Sequence, residues 1–212
     1  MTMTPRVRMV ALTIHVTASV GWLGAVAAFL ALSIAGLTSG DAEMMRGAYL
    51  GMQLITWAVI IPLSGACLVT GVIQSLGTAW GLFRHYWVVA KLVIAVAASI
   101  LLLLHTQPIQ TVAAVAAQRP LSSTDLRQLR IQLVADAIAA LVALAAATTL
   151  SVFKPQGLTR YGRRKQYERT GAADYSPPGN TSRWRYVAVI LGLLLVLLFV
   201  LRHVTGPGLG AH

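Results

Sequence analysis

The chain has 212 residues, 57% of them hydrophobic and only 11% charged, less than half the charge of an ordinary soluble domain, about 25%. Its apolar residues are gathered into long runs, which excludes a water-soluble globular fold and points to an all-α integral membrane bundle. The net charge of +11 is not a nucleic-acid footprint, because most of the basic residues flank apolar runs, where they orient helices and meet anionic headgroups.

The first predicted span covers about 9–37, after Arg6 and Arg8. It is too long for the apolar region of a signal peptide and closes on no small-residue cleavage site, so an uncleaved helix is expected. Thr17, Gly21, Gly24 and Ala28 form a small-residue stripe suited to close packing in lipid. The second span, about 49–75, repeats small and polar residues at helical spacing: Gln53, Trp57, Ile60, Ser64, Cys67, Gly71 and Gln74. Pro62 predicts a kink within it. Cys67 is the chain's single cysteine, so no intramolecular disulfide is expected.

The third span, about 86–107, follows an aromatic belt of Trp80, Tyr86 and Trp87, and Pro108 marks its expected end. The fourth, about 129–152, is Ala-rich between Ala135 and Ala147 and carries Gln128, Gln132 and Asp136 on roughly one face. Residues 154–184 form a basic linker containing SPPGNTS, and segment 154–185 is expected to lie against anionic lipid. A fifth span, 185–201, consists almost wholly of bulky lipid-compatible residues. The expected architecture is therefore a four-helix transmembrane core in residues 1–153, with a peripheral fifth transmembrane helix in residues 185–212.

Five spans put alternate loops on opposite sides. Eleven Lys and Arg fall on the side of the N-terminus and the 154–184 linker, and five on the other. The positive-inside rule then places the N-terminus in the cytoplasm and the C-terminus outside a bacterial plasma membrane.

Ionisable groups inside spans cost roughly 2.5–3.5 kcal/mol on insertion scales, so each needs a reason. Here they are His15, Lys91, His105 and Asp136, with His85 and His203 at boundaries. His15 and Lys91 both lie roughly 8–9 Å inside the cytoplasmic end of their spans, level with each other. His105 follows Lys91 by about 21 Å on nearly the same helix face, and Asp136, descending from the outer side on the fourth span, lies somewhat deeper than His105, with Gln132 between their levels. Lys91 has an alternative as a snorkelling cation, His105 as an interfacial group and His15 as a satisfied core histidine. Asp136 is too deep to snorkel, and should pair with a cation, hold a proton or line a wet cavity.

The segment His15-V-T-A-S-V-G-Trp22-L-Gly24 resembles the His-x6-Trp-x-Gly pattern that opens the CopD-type copper-resistance proteins and the HemJ-type protoporphyrinogen oxidases. W-V-V-A-Lys91-L-V-I resembles the lysine-bearing helix of the same groups. In the HemJ-type enzymes the matching histidine and lysine are the functional pair, associated with haem b in a small helical bundle. The resemblance implies haem b, with His15 as metal ligand and Lys91 beside it. The cofactor-binding candidates are then His15, Lys91, Trp22 and, at the outer level, His105. The chain departs from the pattern in the ending L-L-L-L-His105-T-Q-P, the basic linker and the fifth helix. R-H-Y-W-V-V-A-K-L and F-K-P-Q-G-L-T-R-Y-G-R-R-K resemble a further group of bacterial membrane proteins, which carries no chemistry over.

Three functions follow as expectations: a haem-associated redox or haem-handling protein; copper or small-solute transport, using Met44, Met45, Asp41, Glu43 and His105; or a non-catalytic component that assembles with itself or a membrane partner. There is no P-loop, dinucleotide fingerprint or nucleophile elbow.

Overall fold

The computed structural model describes residues 4–77, 85–121, 126–153 and 159, and every element within them is helical. Helix α1 (Pro5–Thr38) starts on a proline, where the absent N–H would have had no partner anyway. It ends at extended Ser39, whose N–H returns to the Ala35 carbonyl. Asp41 then caps α2 (Ala42–Ile55) by accepting from the Glu43 N–H at 3.1 Å.

Helix α2 runs without a break through a π-helical turn (Thr56–Ile60) into α3 (Ile61–Gly77). The turn stands just ahead of Pro62. A proline gives no N–H to the carbonyl four residues earlier and its ring crowds that carbonyl, so the helix widens by a turn. The kink expected at Pro62 takes this form. The wider turn also moves the packing seam, whose buried positions are Met45, Tyr49, Met52, Thr56, Ile60, Ser64 and Cys67. Trp57, expected on that seam, is half exposed.

The third long helix differs most from expectation. Helix α4 (Tyr86–Leu104) breaks at His105 (φ −90°, ψ 4°), but α5 (Thr106–Gln118) continues it well beyond residue 107. Pro108 does not end the helix: it sits in the first turn of α5, where a missing N–H is tolerated, and it leaves the Leu104 carbonyl without its usual donor. Helix α5 buries Ile109, Val112, Ala113 and Ala116 and exposes Gln107, Thr111 and Gln118. Helix α6 (Arg127–Phe153) completes the described chain.

Among the described residues, four helical stretches are long and apolar enough to cross a membrane: Pro5–Thr38, Ala42–Leu76, Tyr86–Gln118 and Arg127–Val152. The predicted fifth span and almost all of the linker lie outside the described residues. At the His15 end, α1 and α4 occupy opposite corners of a square, each packed on α3 and α6. Beyond His105, α5 replaces α4 and packs on α2 and α6, so the break lets one bundle be built from two sets of neighbours. Large apolar side chains also cover the outside, among them Val10, Val20, Leu54, Val69, Ile100 and Val142. A water-solvated helix would carry charge there.

Candidate functional site

At the His15 end, the chemistry is set by how α1 meets α3. The His15 Nδ1 lies 3.0 Å from Thr70 Oγ1. Thr70 has one hydroxyl proton, which it gives to the Ala66 carbonyl at 2.6 Å. The threonine therefore accepts, and His15 Nδ1–H donates. In the neutral ring this assignment leaves the lone pair on Nε2, the state a metal-ligating imidazole needs, with its other nitrogen anchored by a hydrogen bond.

Gly71 provides the flat surface beneath the ring: a Cβ there would stand 3.2 Å from His15 Cε1. One turn further along, Ser19 Oγ donates to the His15 carbonyl at 2.7 Å and lies 3.2 Å from Cys67 Sγ. The Gln74 amide donates to the Ala11 carbonyl at 2.8 Å, tying the end of α3 to α1. Lys91, from the opposite corner, is close enough for its charge to act on the His15 ring, while its Nζ stands 5.2 Å from the Trp87 ring centroid. His15 and Lys91, matched only by depth in the sequence, do share one end of the bundle.

Trp22 lies two turns along α1 from His15 and is buried. It borders a half-open pocket of about 60 Å³ between α1, the π turn, α4, α5 and α6. The lining is apolar except at its far end, where His105 and Asp136 stand. His105 Nε2 is 3.0 Å from Asp136 Oδ2, and His105 Nδ1 is 2.7 Å from the Leu101 carbonyl. The Gln132 amide lies 3.3 Å from the same Nε2. Both ring nitrogens of His105 are thus engaged, unlike those of His15. Asp136 thus stands beside the His105 ring. His85 caps α4 from an extended backbone conformation, and His203 lies outside the described residues.

Arg130, one of the five Lys and Arg that the sequence assigns to the side opposite the N-terminus, is fully buried in the first turn of α6. Its Nε donates to Tyr49 Oη at 2.7 Å, and its Nη2 donates to the Gly36 carbonyl and lies 3.4 Å from Met45 Sδ. Gly36 is in the last turn of α1, where carbonyls lack helical donors and the helix dipole is negative, so the guanidinium serves as its cap. The Tyr49 ring lies so close to Gly36 that a Cβ there would be 2.7 Å from Cζ. The signal was present in the sequence: Arg130, Leu133, Ala137 and Leu144 recur at helical spacing, and all four are buried on α6.

Among the described residues, no three His, Cys, Asp or Glu side chains cluster as a metal site would require. Comparison of the chain with protein-family models, with curated proteins and with solved structures yields no match.

Proposed function

We propose that the chain is a multi-pass protein of the bacterial plasma membrane that holds haem b through His15, with its N-terminus in the cytoplasm and its C-terminus outside. The observation that carries this reading is the state of His15: Nδ1 is fixed to Thr70, so Nε2 bears the lone pair, and the Lys91 charge lies nearby. The resemblance of the His15–Gly24 and Lys91 segments to haem-associated membrane proteins points the same way.

The residues fit such a group in their donors. His15 offers an oriented imidazole, and Lys91 offers a cation for a propionate. The pocket between Trp22 and His105, about 60 Å³, is mostly apolar, and haem b would be held through His15. Held through His15, haem b would supply one-electron chemistry. Thr70 and Gly71 fix the ring plane of its ligand, and Lys91 offsets negative charge. The copper alternative is weakened because Met45 Sδ lies against the Arg130 guanidinium at 3.4 Å and does not face a shared site with His105.

Absorption spectra of protein purified from cells supplied with a haem precursor test the reading. A Soret band in the wild type that is lost in His15→Ala and weakened in Lys91→Met supports it. Wild-type protein without the band refutes it.

A further inference from the structure

We infer that, in the membrane the chain is read to span, the half-open pocket beside Trp22 takes the hydrocarbon chain of a bilayer lipid. Depth is the first reason. Trp22 stands seventeen residues from Pro5 and sixteen from Thr38, at the middle of a helix that outspans a hydrocarbon core of ~30 Å. Water is scarce at that depth and lipid chains are the solvent. A pocket open to its surroundings there meets chains before anything else.

The walls give the second reason. Trp22, Val26 and Phe29 from α1, Ile60 from the π turn and Leu133 from α6 line the pocket and are all buried. Ala98 and Leu102 of α4 and Ala140 of α6 line it too, and these three are partly exposed. Among the described residues, the pocket therefore opens along α4 and α6. Two of the three residues at the opening are alanines, whose single methyl groups leave room for a chain to pass. His105 and Asp136 occupy one end and leave the rest of the lining apolar.

Size and chemistry agree with this occupant. A pocket of about 60 Å³ receives about four to six bodies of water's size, since one water requires about 10–15 Å³. Water gains nothing beside Trp22 and Phe29, because it needs polar partners and an apolar lining supplies none. A short run of methylene groups gains dispersion contacts with the same side chains, while the rest of its chain stays in the bilayer. The π turn adds a built-in comparison. It sends Ile60 to the pocket, whereas Trp57, three residues earlier and near the middle of the Ala42–Leu76 stretch, is half exposed on the outside. One tryptophan thus borders the pocket and another the outer surface, both near mid-span.

The test is contact quenching of tryptophan fluorescence by phosphatidylcholine brominated at mid-chain, with the full chain reconstituted in brominated and in unbrominated bilayers. Of the five tryptophans, one variant keeps Trp22 alone and another keeps Trp57 alone, the others being changed to phenylalanine. Both carry His15→Ala, which keeps haem from quenching and separates the result from the fate of the haem reading. Trp57 should lose most of its emission in brominated bilayers. Trp22 should lose most of its emission as well, although it is only 3% exposed. Ala98→Leu or Ala140→Leu narrows the opening and should restore Trp22 emission while Trp57 stays quenched. Trp57 quenched with Trp22 unaffected would overturn the chain site and leave the membrane reading standing. Both unaffected would overturn the membrane reading and the chain site with it. Quenching of Trp22 by aqueous acrylamide in place of brominated lipid, or undiminished lipid quenching of Trp22 in both leucine variants, would equally overturn the chain site.

Discussion

Replacement of Arg130 by methionine should be among the most destabilising single changes in the described chain, and the structure sets the scale. The guanidinium's hydrogen bonds disappear, among them those to Tyr49 Oη, the Gly36 carbonyl and Met45 Sδ. Each bond to a charged group contributes about 1.5–3 kcal/mol. The Arg130 guanidinium carbon also lies 5.5 Å from the Tyr49 ring centroid, a contact worth about 1–2 kcal/mol when desolvated. Against these stands the relief of burying a full charge, an effective several kcal/mol. The net loss is about 3 kcal/mol, because Tyr49 and the end of α1 are left with unmet polar atoms.

Reversible unfolding in mixed micelles, followed by circular dichroism, measures this loss, and a cycle with Tyr49→Phe apportions it. Tyr49→Phe alone should lose about 1.5–3 kcal/mol. In the Arg130→Met background it should lose at least about 1 kcal/mol less, since the partner is already gone. Wild-type stability in Arg130→Met, or strict additivity of the two changes, would refute the assignment of Arg130 as the cap that joins α1, α2 and α6.

Other expectations concern single close contacts. Gly36→Ala drives a methyl into the Tyr49 ring at 2.7 Å and should destabilise by about 1–3 kcal/mol in the same unfolding assay. Thr70→Val removes the acceptor for His15 Nδ1 while preserving shape; haem affinity, measured by titration, should drop about 10–100-fold with the fold intact. Gly71→Ala leaves a methyl 3.2 Å from His15 Cε1, so it should alter the haem spectrum more than the unfolding curve. Pro62→Ala restores an N–H for the preceding turn, and amide exchange across Thr56–Ile60 should slow.

The long helices were legible because hydropathy reports the length of an apolar run directly, and four predicted spans coincide with four long helices. The boundaries were less legible where packing, not hydropathy, sustains a helix. His105-T-Q-P looks polar and proline-terminated, yet Ile109, Val112, Ala113 and Ala116 hold α5 against α2 and α6. Residues 42–48 were read as a loop, although Asp41 followed two residues later by Glu43 is an N-cap signal. Residue rise alone put His15 level with Lys91, but it left Asp136 deeper than His105, whereas the two stand 3.0 Å apart. Thr70 as partner of His15 was not, since neighbours across two helices depend on rotation that the π turn had shifted. Arg130 was missed because a charge near a helix start was assigned to solvent, when its register placed it on the buried stripe.

The most direct test of the central claim is haem content per chain in three proteins purified in lipid: wild type, His15→Ala and His105→Gln. The account predicts bound haem in the wild type, none in His15→Ala and wild-type content in His105→Gln, because both ring nitrogens of His105 are already engaged. Haem retained in His15→Ala, or lost in His105→Gln, would contradict it.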